Sequence, residues 1–243
     1  MKKIITHNGM FHADDVMAIA ILRQIFGATE VPIMRTNEVA QEDLNDPDVF
    51  VVDVGRQYVP SLNNYDHHQD DSLPSACMLV MLAHPDAGDY PYIIHNLLSP
   101  ISNCDKGINS PRAGTLNSVL RPFNAIPDGF TRAIHLCEEI LDVYRINSST
   151  IPESERIWDA AEKRGKFAIL NELIFGWRPF AMRDGIQYIL CPSMRGKGQW
   201  NIVSRDSHLF TIPPDEKQLF LHSSGFIASY ENYEDALSVI ENL

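Results

Sequence analysis

The chain has 243 residues, 44% of them hydrophobic and 21% charged, enough for one large domain or two modest ones with real cores. Its net charge of −12 argues against a protein that coats nucleic acid, because that affinity comes from Lys and Arg neutralising phosphates. An acidic excess suits a small or locally gripped phosphate substrate, above all where some carboxylates hold cations. No apolar run approaches the roughly 18 residues that span a bilayer, and the first residues lack a signal-peptide pattern. Cys77, Cys104, Cys137 and Cys191 are scattered without CxxC spacing and read as reduced thiols. The expected setting is cytoplasmic, with no membrane partner.

Residues 2–6 are β-prone and end at a His7-Asn8-Gly9 turn. Asp14 then opens an apolar stretch, Val16 to Phe26, at helical spacing. Residues 31–35 and 49–54 are strand-like. The second is continuously apolar up to Asp53, the composition of a strand buried on both faces of a parallel sheet. This succession predicts an α/β unit, an open and mostly parallel sheet with flanking helices, whose ligands bind beyond the carboxyl ends of the strands. His7 and Asp53 lie at two such ends.

Residues 74–144 read as mostly helical, with breaks at Pro85, Pro100, Pro111 and Pro122, and 129–144 is the longest amphipathic segment. Asn147-Ser148-Ser149-Thr150 reads as a turn and 153–164 as a helix. Strand patterns return at 186–191, 199–204, 219–222 and 226–230, and an amphipathic helix over 233–243 closes the chain. The expected organisation is a catalytic, metal-binding domain over 1–150 and a smaller α+β substrate-binding domain over 151–243. The boundary falls within 146–185, and the cleft between the two domains is expected to be the active site.

Four of the nine histidines fall in two tight clusters that also carry aspartate: His7, His12 and Asp14, with Asp15 behind them, and then Asp66-His67-His68. Imidazole and carboxylate together suit Mn, Fe, Co or Zn better than Ca or Mg, and the lack of cysteine there argues against a structural zinc site. A lone Asp before a helix ordinarily caps it. Asp53 is harder to account for that way, because a carboxylate closing an apolar strand costs several kcal/mol of desolvation unless it is paired or bound to a cation.

The stretches THNGMFHADD (6–15), VVDVG (51–55) and YDHHQ (65–69) resemble the melanocyte-proliferating-gene family of the DHH phosphoesterase superfamily. Similarity resumes at Gly198-Gln199-Trp200 and at HSSGFI (222–227). The resemblance implies a DHH-type fold and a manganese-dependent 3′–5′ exonuclease acting on RNA. Carried over residue by residue, it implies two divalent ions, Mn²⁺ in first place, bridged by Asp53. His7 and His12 would complete one site, and Asp14, His67 and Asp105 the other. His68 would face the substrate phosphate, with Asp66 orienting His67 from behind.

A family-typical Ser-Ala-Gly stands here as Ser75-Ala76-Cys77 at a helix start, leaving Ser75 either a cap or a substrate contact. The family typically carries two aspartates three positions apart where this chain has Ser102 and Asp105, so the ligand role falls on Asp105. His222, Ser224 and Gly225 could cradle a terminal phosphate or ribose through a strand–turn–strand. Arg195, Lys197 and Trp200 offer charge and a ring for stacking. Arg112, Arg121 and Arg132 read as solvated helix residues.

The expected reaction is hydrolysis of a phosphodiester, with His68, Asp53 and Asp66 carrying the chemistry and single-stranded RNA or a short oligonucleotide as substrate. A phosphodiesterase for small or cyclic (di)nucleotides and a metal-binding regulator without activity are the alternative readings.

Overall fold

A computed structural model describes residues 1–85, 90–110, 112–174 and 176–243. The chain divides into two compact units, Met1–Ser149 and Thr150–Leu243. Among the described residues, no helix is long and apolar enough to cross a membrane.

In the first unit the strands are β1 (Lys3–Thr6), β2 (Ile33–Arg35), β3 (Val49–Val52), β4 (Tyr58–Val59) and β5 (Asn64–Tyr65), in the order β2-β1-β3-β5-β4. Every pairing is parallel except the edge pair β4–β5. Alternation along the strands sends Ile4, Phe50 and Val52 into one apolar layer and Ile5, Val49 and Val51 into another. The first layer packs on α1 (Ala13–Phe26), α3 (Ala76–Ala83) and α5 (Ser99–Asp105); the second is closed by Leu44 of α2 (Gln41–Leu44). Both faces of β1 and β3 are thus covered, which is why they read as unbroken apolar runs. Helix α1 ends at Gly27, whose left-handed backbone (φ 60°) suits a residue without a side chain.

The helical region differs from its sequence pattern in two places. Pro100 does not break it: α4 (Tyr90–Ile93) runs through a π-helical turn at Ile94–Leu98 directly into α5, where Pro100 sits in the first turn. The wider turn absorbs the missing proline N–H. After α6 (Leu116–Leu120) and a 3₁₀ turn at Arg121–Ala125, α7 (Gly129–Ala160) continues for 32 residues through the expected turn at 147–150. There Ser148 and Ser149 donate their hydroxyls to the carbonyls of Arg145 and Ile146, bonding back to the preceding turn instead of ending the helix. The break expected at Pro111 lies outside the described residues.

The second unit is a six-stranded sheet ordered β10-β11-β9-β8-β7-β6, from β6 (Glu162–Arg164), β7 (Phe167–Ile169), β8 (Tyr188–Pro192), β9 (Trp200–Ser204), β10 (Gln218–Leu221) and β11 (Ile227–Tyr230). Only β7–β8 is parallel, and its crossover carries α8 (Arg178–Arg183). Ala168, Ile189 and Cys191 join Trp158 and Trp177 on one face. Phe167, Ile169, Tyr188 and Leu190 face the other, covered by α9 (Tyr233–Ile240). The helix expected over 153–164 ends at Ala160, and its last residues instead form β6, paired with β7; β7 and α8 fall in a stretch that sequence periodicity leaves unassigned.

The turn between β10 and β11 depends on Gly225. Its φ is +67°, and a Cβ there would stand 2.4 Å from Thr211 Cγ2 and 2.9 Å from the Ile212 carbonyl oxygen. Trp158, Trp177 and Trp200 are the chain's three tryptophans and all lie in this unit, so intrinsic fluorescence isolates its unfolding. Gly225→Ala should destabilise it by about 1–3 kcal/mol through backbone strain and overpacking. Urea unfolding followed by tryptophan emission reads this directly, and an unchanged midpoint would refute it.

Candidate metal centre

Three parallel strands deliver side chains to one edge of the first sheet. β1 ends at Thr6 and presents His7; β3 ends at Val52 and presents Asp53; β5 ends at Tyr65 and presents Asp66, His67 and His68. The sequence shows the first two strand ends. The third escapes it, because a two-residue strand has no periodicity to detect. Helix α1 adds Asp14 and Asp15 from its first turn, and the last residue of α5 is Asp105.

Asp53 is at the centre. Its backbone adopts φ 56°, a left-handed conformation uncommon outside glycine, and its N–H donates to the Tyr65 carbonyl. The side chain is only 2% exposed, yet neither carboxylate oxygen has a hydrogen-bond partner. His7 Nε2 lies 3.5 Å from Asp53 Oδ2, and His67 Nε2 lies 3.4 Å from Oδ1. His7 Nε2 also stands 3.2 Å from Asp15 Oδ2, and His67 Nε2 stands 3.2 Å from Asp105 Oδ2. His12 Nδ1 is 3.6 Å from Asp105 Oδ1 and 3.9 Å from Asp53 Oδ2.

Three overlapping sets of donor atoms result, each within a 4.8 Å span: His7, His12, Asp15 and Asp53; Asp53, His67 and His68; and Asp14, His67 and Asp105. Adjacent ligands around a first-row ion bound at about 2.1 Å stand about 3 Å apart, so spacings of 3.2–3.5 Å match a cation's shell with little adjustment. The orphaned atoms agree with this. His7 Nε2, Asp15 Oδ2, both Asp53 oxygens and His67 Nε2 are buried without hydrogen-bond partners and converge on the same space.

The two aspartates of α1 have separate tasks. Asp15 accepts the N–H of the N-cap residue His12 at 2.8 Å through one oxygen and turns the other toward His7. The sequence hints at this through the capping-box position three residues beyond the cap, but its place among the donors went unread. Asp14 is fully buried, and its oxygens accept the Ala76 and Cys77 N–H groups and the Ser75 hydroxyl. Ser75 sits at the N-cap position of α3 but reaches the site only through Asp14. Its side chain is buried and offers no surface for the substrate contact considered for it. Ser102, also buried, accepts the Ser75 N–H with its hydroxyl, which keeps the α3 start in place.

Supports hold the His7–His12 loop from outside. Arg35 donates to the carbonyls of His7 and Gly9, and its guanidinium stacks 4.5 Å from the Phe130 ring centroid. Asn124 and Asn117 accept the N–H groups of Phe11 and Ala13. His68 is exposed, and its Nδ1 meets Asp66 Oδ1 at 2.6 Å. Asp66 also accepts the N–H groups of Arg56 and His68, so it orients His68 rather than His67, the residue expected from the sequence.

In the second unit, His222, Ser224 and Gly225 form the β10–β11 turn. The Gly225 N–H donates to the His222 carbonyl, and His222 Nδ1 pairs with the Ser224 hydroxyl at 3.0 Å. Trp200 packs edge-on against Tyr233 at 4.8 Å, a core contact for a residue considered for base stacking.

A family model described as MYG1_exonuc, uncharacterised protein family (UPF0160), matches residues 3–75, the stretch from β1 through His68 to the start of α3. The mouse MYG1 exonuclease is 24% identical over 320 residues, covering 98% of this chain and 83% of its own. The chain is similar to the MYG1 proteins over nearly its whole length. The human MYG1 exonuclease is 25% identical over 321 residues, covering 98% of this chain and 84% of its own. A MYG1 protein of Chlamydia trachomatis is 29% identical over 136 residues, covering 51% and 45%. RecJ from Thermus thermophilus, solved in complex with Mg²⁺, aligns at 12% identity with a TM-score of 0.28, covering 99% of this chain and 48% of its own. The strand order, and not that likeness, carries the fold assignment. The MYG1 family match ends at Ser75, so Ser102 and Asp105 lie beyond it.

The electrostatics of the cluster are unfavourable without a cation. Burial, joined by repulsion from Asp14, Asp15 and Asp105, pushes the Asp53 carboxyl up to about 7 against the pull of His67. Burial also raises Asp14, with Asp105 adding to it. For His67, burial acts downward, but Asp105 and Asp53 outweigh it and lift the ring to about 10. His7 is raised by the Asp15 carboxylate 3.2 Å from its Nε2. Folded Asp53 therefore holds a proton between roughly pH 4 and 7, and folded His67 between roughly 6.5 and 10, where the unfolded chain does not. Both contributions to stability are present at low pH and lost as pH rises through those windows. In chelator, the melting temperature should fall steadily from pH 5.5 to 8.5, and saturating divalent cation should remove most of that slope. A flat profile in chelator would show that the carboxylates do not repel as described.

Proposed function

We propose that this chain is a divalent-metal-dependent phosphodiester hydrolase, a 3′–5′ exonuclease acting on single-stranded RNA or short oligonucleotides. The observation that carries the reading is the set of buried, partnerless nitrogen and oxygen atoms of His7, Asp15, Asp53 and His67 converging at the carboxyl ends of three parallel strands. Such a set is costly to fold around nothing and natural around cations. The exonuclease names of the mouse and human relatives supply the reaction class.

His7, His12, Asp15 and Asp53 would hold one ion; Asp14, Asp53, His67 and Asp105 a second, with Mn²⁺ suited to this mixed imidazole and carboxylate set. Two such ions lower the pKa of a bound water, neutralise non-bridging phosphate oxygens and stabilise the leaving alkoxide. The protein's part is to hold these donors at fixed spacing. His7 Nδ1 accepts the Gly9 N–H, so the neutral ring carries its proton at Nε2; to hold a cation through Nε2 the ring would shift that proton to Nδ1 and give up the Gly9 bond.

Within this reading His68 acts on substrate. Its bond to Asp66 raises the ring's pKa, and Asp66 stays ionised because His68 and two backbone N–H groups outweigh its burial. That pairing favours the protonated ring, whose Nε2–H would donate to a phosphoryl oxygen. Within this reading the first unit carries the chemistry. The second is read as the substrate-binding unit, with the side chains of His222 and Ser224 offered to a terminal phosphate or ribose, since the backbone N–H groups of their turn are bonded within it.

The acidic chain also favours a second reading, a phosphodiesterase for small or cyclic dinucleotides, because a surface of net charge −12 repels a long polyanion. A Mn²⁺-supplemented hydrolysis panel of 5′-labelled RNA, DNA, linear dinucleotides and cyclic dinucleotides separates the two. One-nucleotide steps down a 5′-labelled RNA ladder support the exonuclease; turnover of the cyclic compounds alone supports the second reading. No hydrolysis of any member would remove both.

Elemental analysis should find about two divalent ions per chain, and Asp53→Asn should lose most of them together with all turnover. His68→Ala should keep its metal while turnover falls on the order of 10²–10³-fold, the usual loss for one transition-state donor. Metal lost from His68→Ala would move that residue from the substrate side to the ligand side.

A further inference from the structure

Beside the metal centre, within the first unit, lies a hollow of about 700 Å³. Its lining includes His12, His67, His68 and Asp105 of the centre together with Lys106, Arg112 and Arg121. Three permanent cations against one carboxylate make this hollow basic in a chain with 32 acidic and 20 basic residues. The volume suits a nucleotide-sized ligand.

The two arginines differ from four others of the chain. Arg23, Arg156, Arg164 and Arg183 all find carboxylates, as expected where acids outnumber bases. The Arg112 and Arg121 guanidiniums have no hydrogen-bond or ion-pair partner among the described residues. Lys106 is different, because its ammonium is occupied by the carbonyls of Asp71 and Leu73 and braces the segment after His68.

The segment carrying the arginines is fixed relative to the metal centre. Thr115, which caps α6, bonds through its hydroxyl to the Arg112 carbonyl. Asn117 of α6 accepts the Ala13 N–H, and Asn124 both accepts from and donates to the Phe11 backbone, so Arg121 is bracketed by ties to the loop that bears His12. Each guanidinium is a planar, multidentate donor of the kind that phosphate groups fill, and both line the hollow on a braced scaffold without a partner among the described residues.

We propose that Arg112 and Arg121 seat a second phosphate, borne by the nucleotide next to the scissile phosphodiester, and that the site selects short oligonucleotides carrying that phosphate. This rests on the hydrolase reading and specifies its substrate. A terminal phosphate at either the 5′ or the 3′ end offers the same dianionic oxygens, and the test separates the two.

Diadenylate with free hydroxyls, with a 5′-phosphate and with a 3′-phosphate is supplied to the Mn²⁺-loaded protein, and kcat/KM is compared. One phosphorylated form should exceed the unphosphorylated one by about tenfold or more, the scale of a charge-assisted hydrogen bond. In the Arg112→Gln/Arg121→Gln double variant that ratio should fall to about one, with each single variant between. Arg132→Gln, whose guanidinium stacks on Phe123, should keep the wild-type ratio. Equilibrium titration of the same three compounds onto Mn²⁺-supplemented Asp53→Asn protein reads the seat without turnover. Lack of hydrolysis by wild type, with phosphate-dependent binding that the double variant loses, would sink the hydrolase reading and keep the seat. Equal binding of all three compounds, or a preference that survives the double variant, would overturn the seat itself.

Discussion

The first unit is organised around a repulsion it cannot relieve alone. Asp53 sits in a left-handed backbone at a strand end, almost wholly removed from water, with Asp14, Asp15 and Asp105 close enough to raise its proton affinity. A group placed this way destabilises a fold unless something positive meets it. His7 and His67 meet it in part, and Arg35, Asn117 and Asn124 stop the loop that carries His7 and His12 from moving away. The β3 strand, the first turn of α1 and the end of α5 are placed to sustain that concentration of charge. Backbone strain at Asp53 belongs to the same arrangement, since such conformations persist where the surroundings over-determine them.

Much of this was legible in the sequence wherever a long apolar segment ended in a polar residue. Residues 49–54 show both a buried strand and the anomaly of Asp53, and His7 and Asp53 each close a strand in the sequence, whereas their adjacency comes from the pairing of β1 with β3. His67 was identified by type and by resemblance, but its position was not, because β5 is two residues long and exists only through its pairing with β3. Asp15 was overlooked for a related reason: one carboxylate both caps α1 and faces His7, and the local signal accounts for only half of that.

The helix through 147–150 shows the opposite case, in which a local signal is overruled. Asn147-Ser148-Ser149-Thr150 has the composition of a turn, yet those serine hydroxyls satisfy carbonyls of the preceding helical turn just as readily. Which option prevails depends on packing that composition does not encode. Ser102 makes the same point at the site. As a replacement for an expected aspartate it looks like a loss, but the structure gives it a structural post beneath Ser75.

The parallel pairing of β1, β3 and β5 separates the unit into two edges with different freedom. Chain segments at the carboxyl edge, 7–12, 53–57 and 66–75, carry donors or hold them, so their lengths are set by the geometry of the cluster. The connections at the other edge, 27–32 and 45–48, only return the chain to the start of a strand. Over evolutionary time, growth and shrinkage can be absorbed at that edge while the cluster stays in register. A domain of this kind keeps its chemistry constant and its outline variable, and the parallel direction of its strands draws the line between the two.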